Sequence, residues 1–182
     1  NTDTEVVLKA YYQWGGGAFS KFNGMWALAI FDSKRHEIFL SRDRFGIKPL
    51  YICKMNNIIY FSSEIKFIKK MIGNKIRLNE RTALSYINHN KMNYSKETFY
   101  NEIYEILPGR NLRISENSYI EKPYWNLSVN YINYDKEQAL ELFKQLFNDS
   151  LKLRMRSDVE VGGLLSGGLD SSLILSDLDK LG

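Results

Sequence analysis

Apolar and polar positions in the first part of the chain follow helical and strand-like patterns in turn. Residues 2–14 carry apolar side chains three and four positions apart, among them Val6, Val7 and Ala10. This spacing predicts an amphipathic helix that is capped by Thr2 or Asp3 and ended by the three glycines that follow. The apolar face of such a helix would pack on a core.

Short apolar runs separated by polar turns predict antiparallel strands in the same region. The runs lie at 24–32, 37–43, 49–55, 58–64, 106–114 and 119–125, and short helices are predicted at 64–72 and 80–90. Asn56 and Asn57 fit the turn of a hairpin between the third and fourth runs. Because the first four runs are apolar on both alternating faces, they predict one antiparallel sheet that is buried on both sides.

The pattern changes after residue 125. Asp135 and Gln138 form the pattern of a capping box, which predicts a helix that runs toward Arg156. One apolar face of this helix consists of Leu140, Phe143, Leu146, Phe147 and Leu151. A compact apolar strand at 159–165, a glycine-rich loop at 166–171 and another helix at 172–181 follow. Strand, loop and helix in this order are typical of the start of an α/β nucleotide-binding fold.

The loop carries a combination of residues suited to phosphate. Gly167 and Gly168 have no side chains, so their amides can approach an anion closely at the positive end of a helix. Hydroxyl donors are supplied by Ser166, Ser171 and Ser172. Asp170 would repel phosphate unless a divalent cation lay between them, which implies magnesium. The alternative is a tight strand-to-helix turn with a serine cap, and the lysine of the common phosphate loop is absent.

The composition is that of a globular protein and excludes several classes. The 182 residues are 44% hydrophobic and 14% aromatic, enough for a substantial core. Lys and Arg number 25 and Asp and Glu 21, and the net charge of +4 is spread along the chain. This argues against nucleic-acid and membrane partners. The single cysteine, Cys53, excludes an internal disulfide framework and predicts a reducing, cytoplasmic location. The chain starts without methionine, and both ends are predicted to be cut.

Several motifs resemble those of known enzyme families. Ser-Gly-Gly-Leu-Asp-Ser-Ser at 166–172, after Val-Gly-Gly-Leu-Leu, resembles the pyrophosphate loop of the ATP pyrophosphatases, which split ATP into AMP and pyrophosphate. Upstream, the stretches FNGMWALAIFD, LSRDRFGIKPLY, FSSEIKFI, LPGRNLRI and YW resemble the second half of a class II glutamine amidotransferase domain. An amidotransferase domain followed by a pyrophosphate loop is the layout of the glutamine-hydrolysing asparagine synthetases. The resemblance covers essentially the whole chain, in order.

The resemblance implies a fold of class α+β followed by α/β. Residues 1–125 would be the second half of an αββα N-terminal-nucleophile hydrolase sandwich. Residues 126–182 would be the first strand, loop and helix of a Rossmann-like pyrophosphate-loop domain. The implied substrates are glutamine, aspartate and ATP, with Mg²⁺: a cysteine thiolate releases ammonia from glutamine, and ATP converts aspartate into an acyl adenylate that ammonia turns into asparagine. Members of the family commonly form dimers, so a homodimer is expected on that ground.

The resemblance also assigns roles to individual residues. Asp3 matches the position that binds the α-ammonium group of glutamine, and the alternative is that it only caps the first helix. The matching ATP-binding positions are Leu164, Ser166, Gly167, Gly168, Asp170, Ser171 and Ser172, and Asp170 is the expected metal contact. No catalytic residue is expected within the chain, because in the family the nucleophilic cysteine, a glutamine-binding arginine and the Asn-Gly oxyanion-hole stretch lie upstream. The piece by itself is therefore expected to have neither activity.

Other chemically suggestive residues are interpreted as structural. The stretch from Arg42 to Lys48 is expected to organise the sheet and the turn after it, as in the family. Cys53 lies inside an apolar strand rather than at an N-terminus, so it is expected to be inert. His36 and His89 have no partner at metal-ligand spacing and are expected to face solvent.

Three functions stay open on the sequence alone. The leading one is an asparagine synthetase. The second is a related amidotransferase that amidates a sugar acid or another carboxylate, because the acceptor pocket would lie beyond Gly182. The third is a non-catalytic nucleotide-binding remnant, against which the intact motif at 166–172 speaks.

Overall fold

The structure is a computed structural model that describes residues 2–90 and 95–181. The chain forms two units, Asn1–Ser128 and Val129–Gly182. The helices of the first unit are α1 (Asp3–Trp14), α2 (Ile65–Ile72) and α3 (Glu80–His89), with 3-10 segments at Gly15–Lys21 and Gly73–Lys75. Its strands are β1 (Ala27–Asp32), β2 (Glu37–Arg42), β3 (Tyr51–Met55), β4 (Ile58–Ser62), β5 (Ile103–Glu105), β6 (Arg110–Ser115) and β7 (Ser118–Pro123).

Local sequence signals explain where several of these elements begin and turn. The hydroxyl of Thr2 accepts a hydrogen bond from the Glu5 amide at 3.3 Å, so Thr2 caps α1 and Asp3 does not. Asn56 and Asn57 both have positive φ, 52° and 59°, as the turn of a β3–β4 hairpin requires. The hairpin and the three helices predicted in this region are confirmed. The 3-10 segments and β5 were not predicted, because runs this short leave no periodic pattern.

The strands form two antiparallel sheets, as the αββα resemblance implies, whereas the apolar pattern alone had placed the first four strands in one sheet. The first sheet has the order β1-β2-β6-β7 and the second the order β4-β3-β5. The strand β2 pairs with β6, whose partner residues are 70 to 76 positions away in sequence, and not with β3, which follows it. Apolar periodicity locates strands but says nothing about their long-range partners, which tertiary packing selects.

Three apolar clusters separate the layers of the first unit. Ile30 and Phe39 on the first sheet pack against α1 and the 3-10 segment after it. Leu40 and Leu112 meet Ile52 of the second sheet in a cluster between the two sheets. A third cluster lies between the second sheet and α2 and contains Cys53, Ile68 and Ile103. The layers therefore follow the order helix, sheet, sheet, helix, which confirms the αββα arrangement.

Two buried charges organise the segment after β2. The carboxylate of Asp43 is 1% exposed and accepts backbone hydrogen bonds at 3.0–3.3 Å; the donors are the amides of Trp26, Phe45, Ile47 and Lys48. The guanidinium of Arg42 donates to the carbonyls of Gly46, Lys48 and Ile106 and pairs with Glu105 at 2.8 Å. These bonds fix the turn that leads from the first sheet to the second. The structure thus agrees with a structural role for this stretch.

The second unit is described by itself. It contains α4 (Lys136–Arg154) and α5 (Leu169–Leu181), and both sides of the predicted capping box at Asp135 and Gln138 are present. The strand predicted at 159–165 is not formed, and Val159 and Leu164 are 76% and 97% exposed. A buried strand needs neighbouring strands to satisfy its backbone and cover its side chains, and residues 129–181 contain no strand.

Candidate functional site

Asp3 lies at the wall of a cavity near the start of α1. The cavity has a volume of 350 Å³, and its lining includes Asp3, Val6, Lys21, Met25 and Trp26. Because Thr2 supplies the helix cap, the Asp3 carboxylate is not used for that purpose. It remains exposed in the first turn, where the helix dipole favours a negative charge.

Lys21 gives the same cavity a positive group that sequence reasoning missed. It ends the 3-10 segment, and its ammonium lies 5.2 Å from the centre of the Trp14 ring. The lining thus includes one acidic and one basic residue, charges that complement a zwitterion such as an amino acid, and the Lys21 ammonium itself lies over Trp14, outside that lining. The sequence signal was the lysine directly before Phe22, but its place in the lining of the Asp3 cavity depends on the 3-10 segment, which was not predicted.

Residues 166–172, here called the glycine–serine loop, form a compact turn at the start of α5. Gly167 has φ +81°, in the left-handed region that favours glycine. The hydroxyls of Ser171 and Ser172 donate to the Gly168 carbonyl at 3.0 and 2.9 Å. The hydroxyls of Ser166 and Ser171 lie 3.0 Å apart. The three predicted serines are therefore brought together around one glycine.

The loop leaves helix amides free for an anion. The amide of Ser172 donates to the Gly168 carbonyl at 3.1 Å, which is the first hydrogen bond of α5. The first-turn amides before it have no intrahelical acceptor and carry the positive end of the helix dipole. Residues 166–170 are exposed, so these groups are accessible. The side chain of Leu164 is 97% exposed, so only the backbone of this residue is a candidate for a contact with a nucleotide.

The donors of the loop fit a nucleotide phosphate together with magnesium. Asp170 offers one carboxylate in the first turn of α5. Across the described residues, no group of three or more His, Cys, Asp or Glu side chains is placed to hold a metal ion. Mg²⁺ bound through one carboxylate takes its other ligands from phosphates and water. The site therefore fits an ion held largely by a nucleotide and does not fit an ion held by protein alone.

The residues set aside by sequence reasoning behave as expected. Cys53 is fully buried on β3, and burial, together with the charge of Glu102, raises the pKa of its thiol. A thiol of raised pKa is a poor nucleophile. His36 and His89 are exposed. In residues 2–90 and 95–181, no helix is both long and apolar enough to cross a membrane.

Comparison with known families agrees with this arrangement. The glutamine amidotransferase domain family matches residues 1–125, and the asparagine synthase family matches residues 142–181. The chain therefore belongs to the glutamine amidotransferase domain family, and it continues into a segment similar to the beginning of an asparagine synthase domain.

Individual relatives match along nearly the whole chain. A putative glutamine-hydrolysing asparagine synthetase 2 of Methanocaldococcus jannaschii is 40% identical over 99% of the chain, which spans 37% of that protein. Glutamine-hydrolysing asparagine synthetase 3 of Bacillus subtilis is 35% identical over 95% of the chain, which spans 28% of that protein. Amidase chyE of Penicillium rubens is 28% identical over all of the chain, which spans 27% of it. The chain thus spans about a third of the length of the relatives it matches.

Proposed function

We propose that the protein containing this chain makes asparagine from aspartate, with glutamine as nitrogen donor and ATP as activating substrate. The observation that carries the proposal is the order of two parts in one chain. An amidotransferase domain at 1–125 precedes a glycine–serine loop at a helix start, within a segment similar to asparagine synthase. We place the boundary between the two domains at residues 125 and 126.

In this proposal Asp3 binds the α-ammonium group of glutamine. An ammonium–carboxylate contact is a charge-assisted hydrogen bond, which is stronger than a neutral one. The position of Asp3 on the wall of a 350 Å³ cavity leaves room for a small amino acid. Lys21, which also lines this cavity, would turn from the Trp14 ring to hold the α-carboxylate.

The glycine–serine loop would bind the phosphates of ATP. The proposed contacts are the backbone at Leu164, the amides of Gly167 and Gly168 and of the first turn of α5, and the hydroxyls of Ser166, Ser171 and Ser172. The Ser171 and Ser172 hydroxyls would turn from the Gly168 carbonyl to the phosphate, and the Gly168 amide would leave the Ser166 hydroxyl. Asp170 would hold a magnesium ion at the phosphates. When bound, the ion would neutralise phosphate charge and make pyrophosphate a better leaving group, so that the acceptor carboxylate becomes an acyl adenylate. A homodimer and a cytoplasmic location remain predictions from the sequence.

A second candidate function is amidation of another carboxylate, such as a sugar acid. It is supported by the similarity of the whole chain to a relative named an amidase, which is not named as an asparagine synthetase. The two candidates share the glutamine site and the phosphate site and differ only in the acceptor.

An acceptor screen on the full-length protein tests the proposal. AMP and pyrophosphate are measured with ATP and magnesium, with aspartate or a series of sugar acids as acceptor, and with glutamine or ammonia as nitrogen donor. We expect product with aspartate, and we expect Asp170→Asn to abolish it. Asp179→Asn is the matched control, because Asp179 is an exposed carboxylate on the same helix. Turnover with a sugar acid alone would favour the second candidate, and AMP formation in neither case would contradict both.

A further inference from the structure

A second cavity opens at the edge of the sandwich, where the outermost strands of the two sheets lie side by side. Its volume is 320 Å³. It is lined by Ile52, Lys54, Lys96, Tyr104, Glu105, Ile106, Tyr119 and Glu121, and we call it the edge cleft. The strands β5 and β7, which supply Tyr104 and Tyr119, are each the last strand of their sheet.

Strand register shows that the edge cleft lies between the sheets. On β7, Tyr119 and Glu121 are paired with Ile114 and Leu112, which belong to the apolar cluster between the sheets. Cross-strand partners share a face, so both side chains point toward the second sheet. By the same argument Tyr104, the partner of Ile52, points toward the first sheet. Within the described residues, the cleft therefore adjoins the apolar cluster between the sheets.

The apolar part of the cleft lining includes two partly exposed tyrosine rings, those of Tyr104 and Tyr119. Tyr104 is 41% exposed and Tyr119 is 44% exposed. Burial, with the charge of Glu121 as a smaller contribution, raises the pKa of Tyr119. Its phenol therefore stays protonated at neutral pH and is available as a hydrogen-bond donor.

The charges in the lining leave an excess of positive charge. Glu105 is paired with Arg42 at 2.8 Å, and both side chains are buried. Glu121 is paired with Arg110 at 3.5 Å. Both carboxylates are thus already neutralised by arginines that do not line the cleft.

The two lysines of the cleft are not neutralised in this way. Both are exposed, and neither Lys54 nor Lys96 takes part in an ion pair among the described residues. Instead the ammonium of Lys96 lies 5.6 Å from the centre of the Tyr104 ring. The exposed parts of the Tyr104 and Tyr119 rings leave aromatic surface for a planar group, and the unpaired ammonium groups beside them favour an anion.

We propose that the edge cleft binds a small anion that carries a planar aromatic ring. The ring would pack against Tyr104 and Tyr119, and the carboxylate or phosphate of the ligand would pair with Lys54 and Lys96. A cavity of 320 Å³ lies within the range of small-molecule sites, about 300–1,000 Å³. The edge cleft shares no lining residue with the Asp3 cavity, so the inference does not depend on the proposed function.

Calorimetric titration of the full-length protein with two probes tests this inference. Indole-3-carboxylate represents an aromatic carboxylate, and AMP represents a nucleoside monophosphate. Inorganic phosphate has the charge without the ring, and adenosine has the ring without the charge. We expect at least one of the first two probes to bind several-fold more tightly than either phosphate or adenosine, and the tighter of the two identifies the source of the anion.

Substitutions locate the binding. We expect Lys54→Gln and Lys96→Gln each to weaken binding of that probe by about fivefold, as for the loss of one partly exposed ion pair. Tyr104→Leu is expected to weaken it as well, through the loss of a ring contact. Lys75→Gln, at an exposed lysine after α2, is the matched control and is expected to change nothing. Equal melting temperatures of all variants would establish that each one folds.

Two results would overturn the inference. One is the absence of binding by both probes at millimolar concentration. The other is binding of a probe that both lysine variants retain in full. This includes AMP binding that only Gly167→Ala removes, because such binding would belong to the glycine–serine loop.

Discussion

At the scale of single residues, the position of Asp3 distinguishes a helix cap from a ligand-binding carboxylate at the start of the chain. Asp3 is one residue beyond the helix cap, and the cap hydrogen bond is made by Thr2. Substitution of Asp3 therefore leaves the cap intact and changes only the charge at the cavity wall. This makes its proposed role testable without disturbing the fold.

We expect Asp3→Asn to raise the KM for glutamine by about tenfold, because a charge-assisted hydrogen bond to the α-ammonium group is weakened. Activity with ammonia in place of glutamine should be unchanged, since ammonia bypasses the cavity. The measurement is steady-state kinetics of the full-length protein with each nitrogen donor. Glu80→Gln, in the first turn of α3, serves as control. An equal loss with both donors would contradict a role in glutamine binding.

Backbone conformation at one glycine gives a second prediction. Gly167 has open space around its Cα, so a methyl group would meet no steric obstacle there, but its φ of +81° is unfavourable for alanine. We expect Gly167→Ala to weaken ATP binding about tenfold, because the alanine would displace the amides of the loop. Left-handed backbone at a residue with a side chain costs about 1–2 kcal/mol, which corresponds to a change in affinity of this size. Gly162→Ala also meets nothing within 4 Å and has no positive φ, so it is the control. Titration with ATP and magnesium distinguishes the two, and equal affinities would contradict a role for the loop backbone.

At the scale of elements, a buried carboxylate holds the turn between the two sheets together with the guanidinium of Arg42. Asp43 accepts hydrogen bonds from four backbone amides. Three of them belong to Phe45, Ile47 and Lys48, which follow it in the turn and lie outside any helix or strand. The fourth amide, that of Trp26, belongs to the segment before β1, so Asp43 also joins two distant parts of the chain. This carboxylate therefore stabilises both the turn and the entry to β1.

We expect Asp43→Asn to lower the free energy of unfolding by about 3 kcal/mol, because the new amide group places a donor among backbone donors that lose their acceptor. Urea unfolding followed by tryptophan fluorescence measures the change. Glu116→Gln, at the exposed turn between β6 and β7, should change stability by less than about 0.5 kcal/mol. A similar small effect at Asp43 would show that water replaces the lost acceptor.

At the scale of the whole molecule, an exposed connection follows the amidotransferase fold. Residues 126–134 contain no helix or strand and are all exposed, and Tyr131 is 100% exposed. Exposed irregular segments are the usual sites of proteolytic nicking. The aromatic residues in this connection make its accessibility measurable with a suitable protease.

We expect limited digestion with chymotrypsin to cut first at Tyr131 or Tyr134. Trypsin is the control, because the sequence has no Lys or Arg between Lys122 and Lys136 and Lys122 precedes a proline. Mass spectrometry of early fragments identifies the cut. Early chymotryptic cleavage elsewhere, with this connection intact, would mean that 126–134 is protected in the protein.

The sequence by itself determined the local elements and the residues of the loop. Capping at Thr2 or Asp3, the turn at Asn56 and Asn57, and the capping box at Asp135 are all short-range interactions, so a local pattern specifies them. The motif at 166–172 likewise indicates phosphate binding from the sequence alone, because each residue type has a fixed set of hydrogen-bond donors and acceptors.

Only the tertiary structure decided which strands meet and which side chains share a cavity. It placed the first four strands in two sheets instead of one, and 159–165 forms no strand because residues 129–181 contain no other strand. It also placed Lys21 beside Asp3, and Lys54 and Lys96 beside two tyrosines. These contacts join residues far apart in sequence, and their selection depends on packing and burial, which no local pattern encodes.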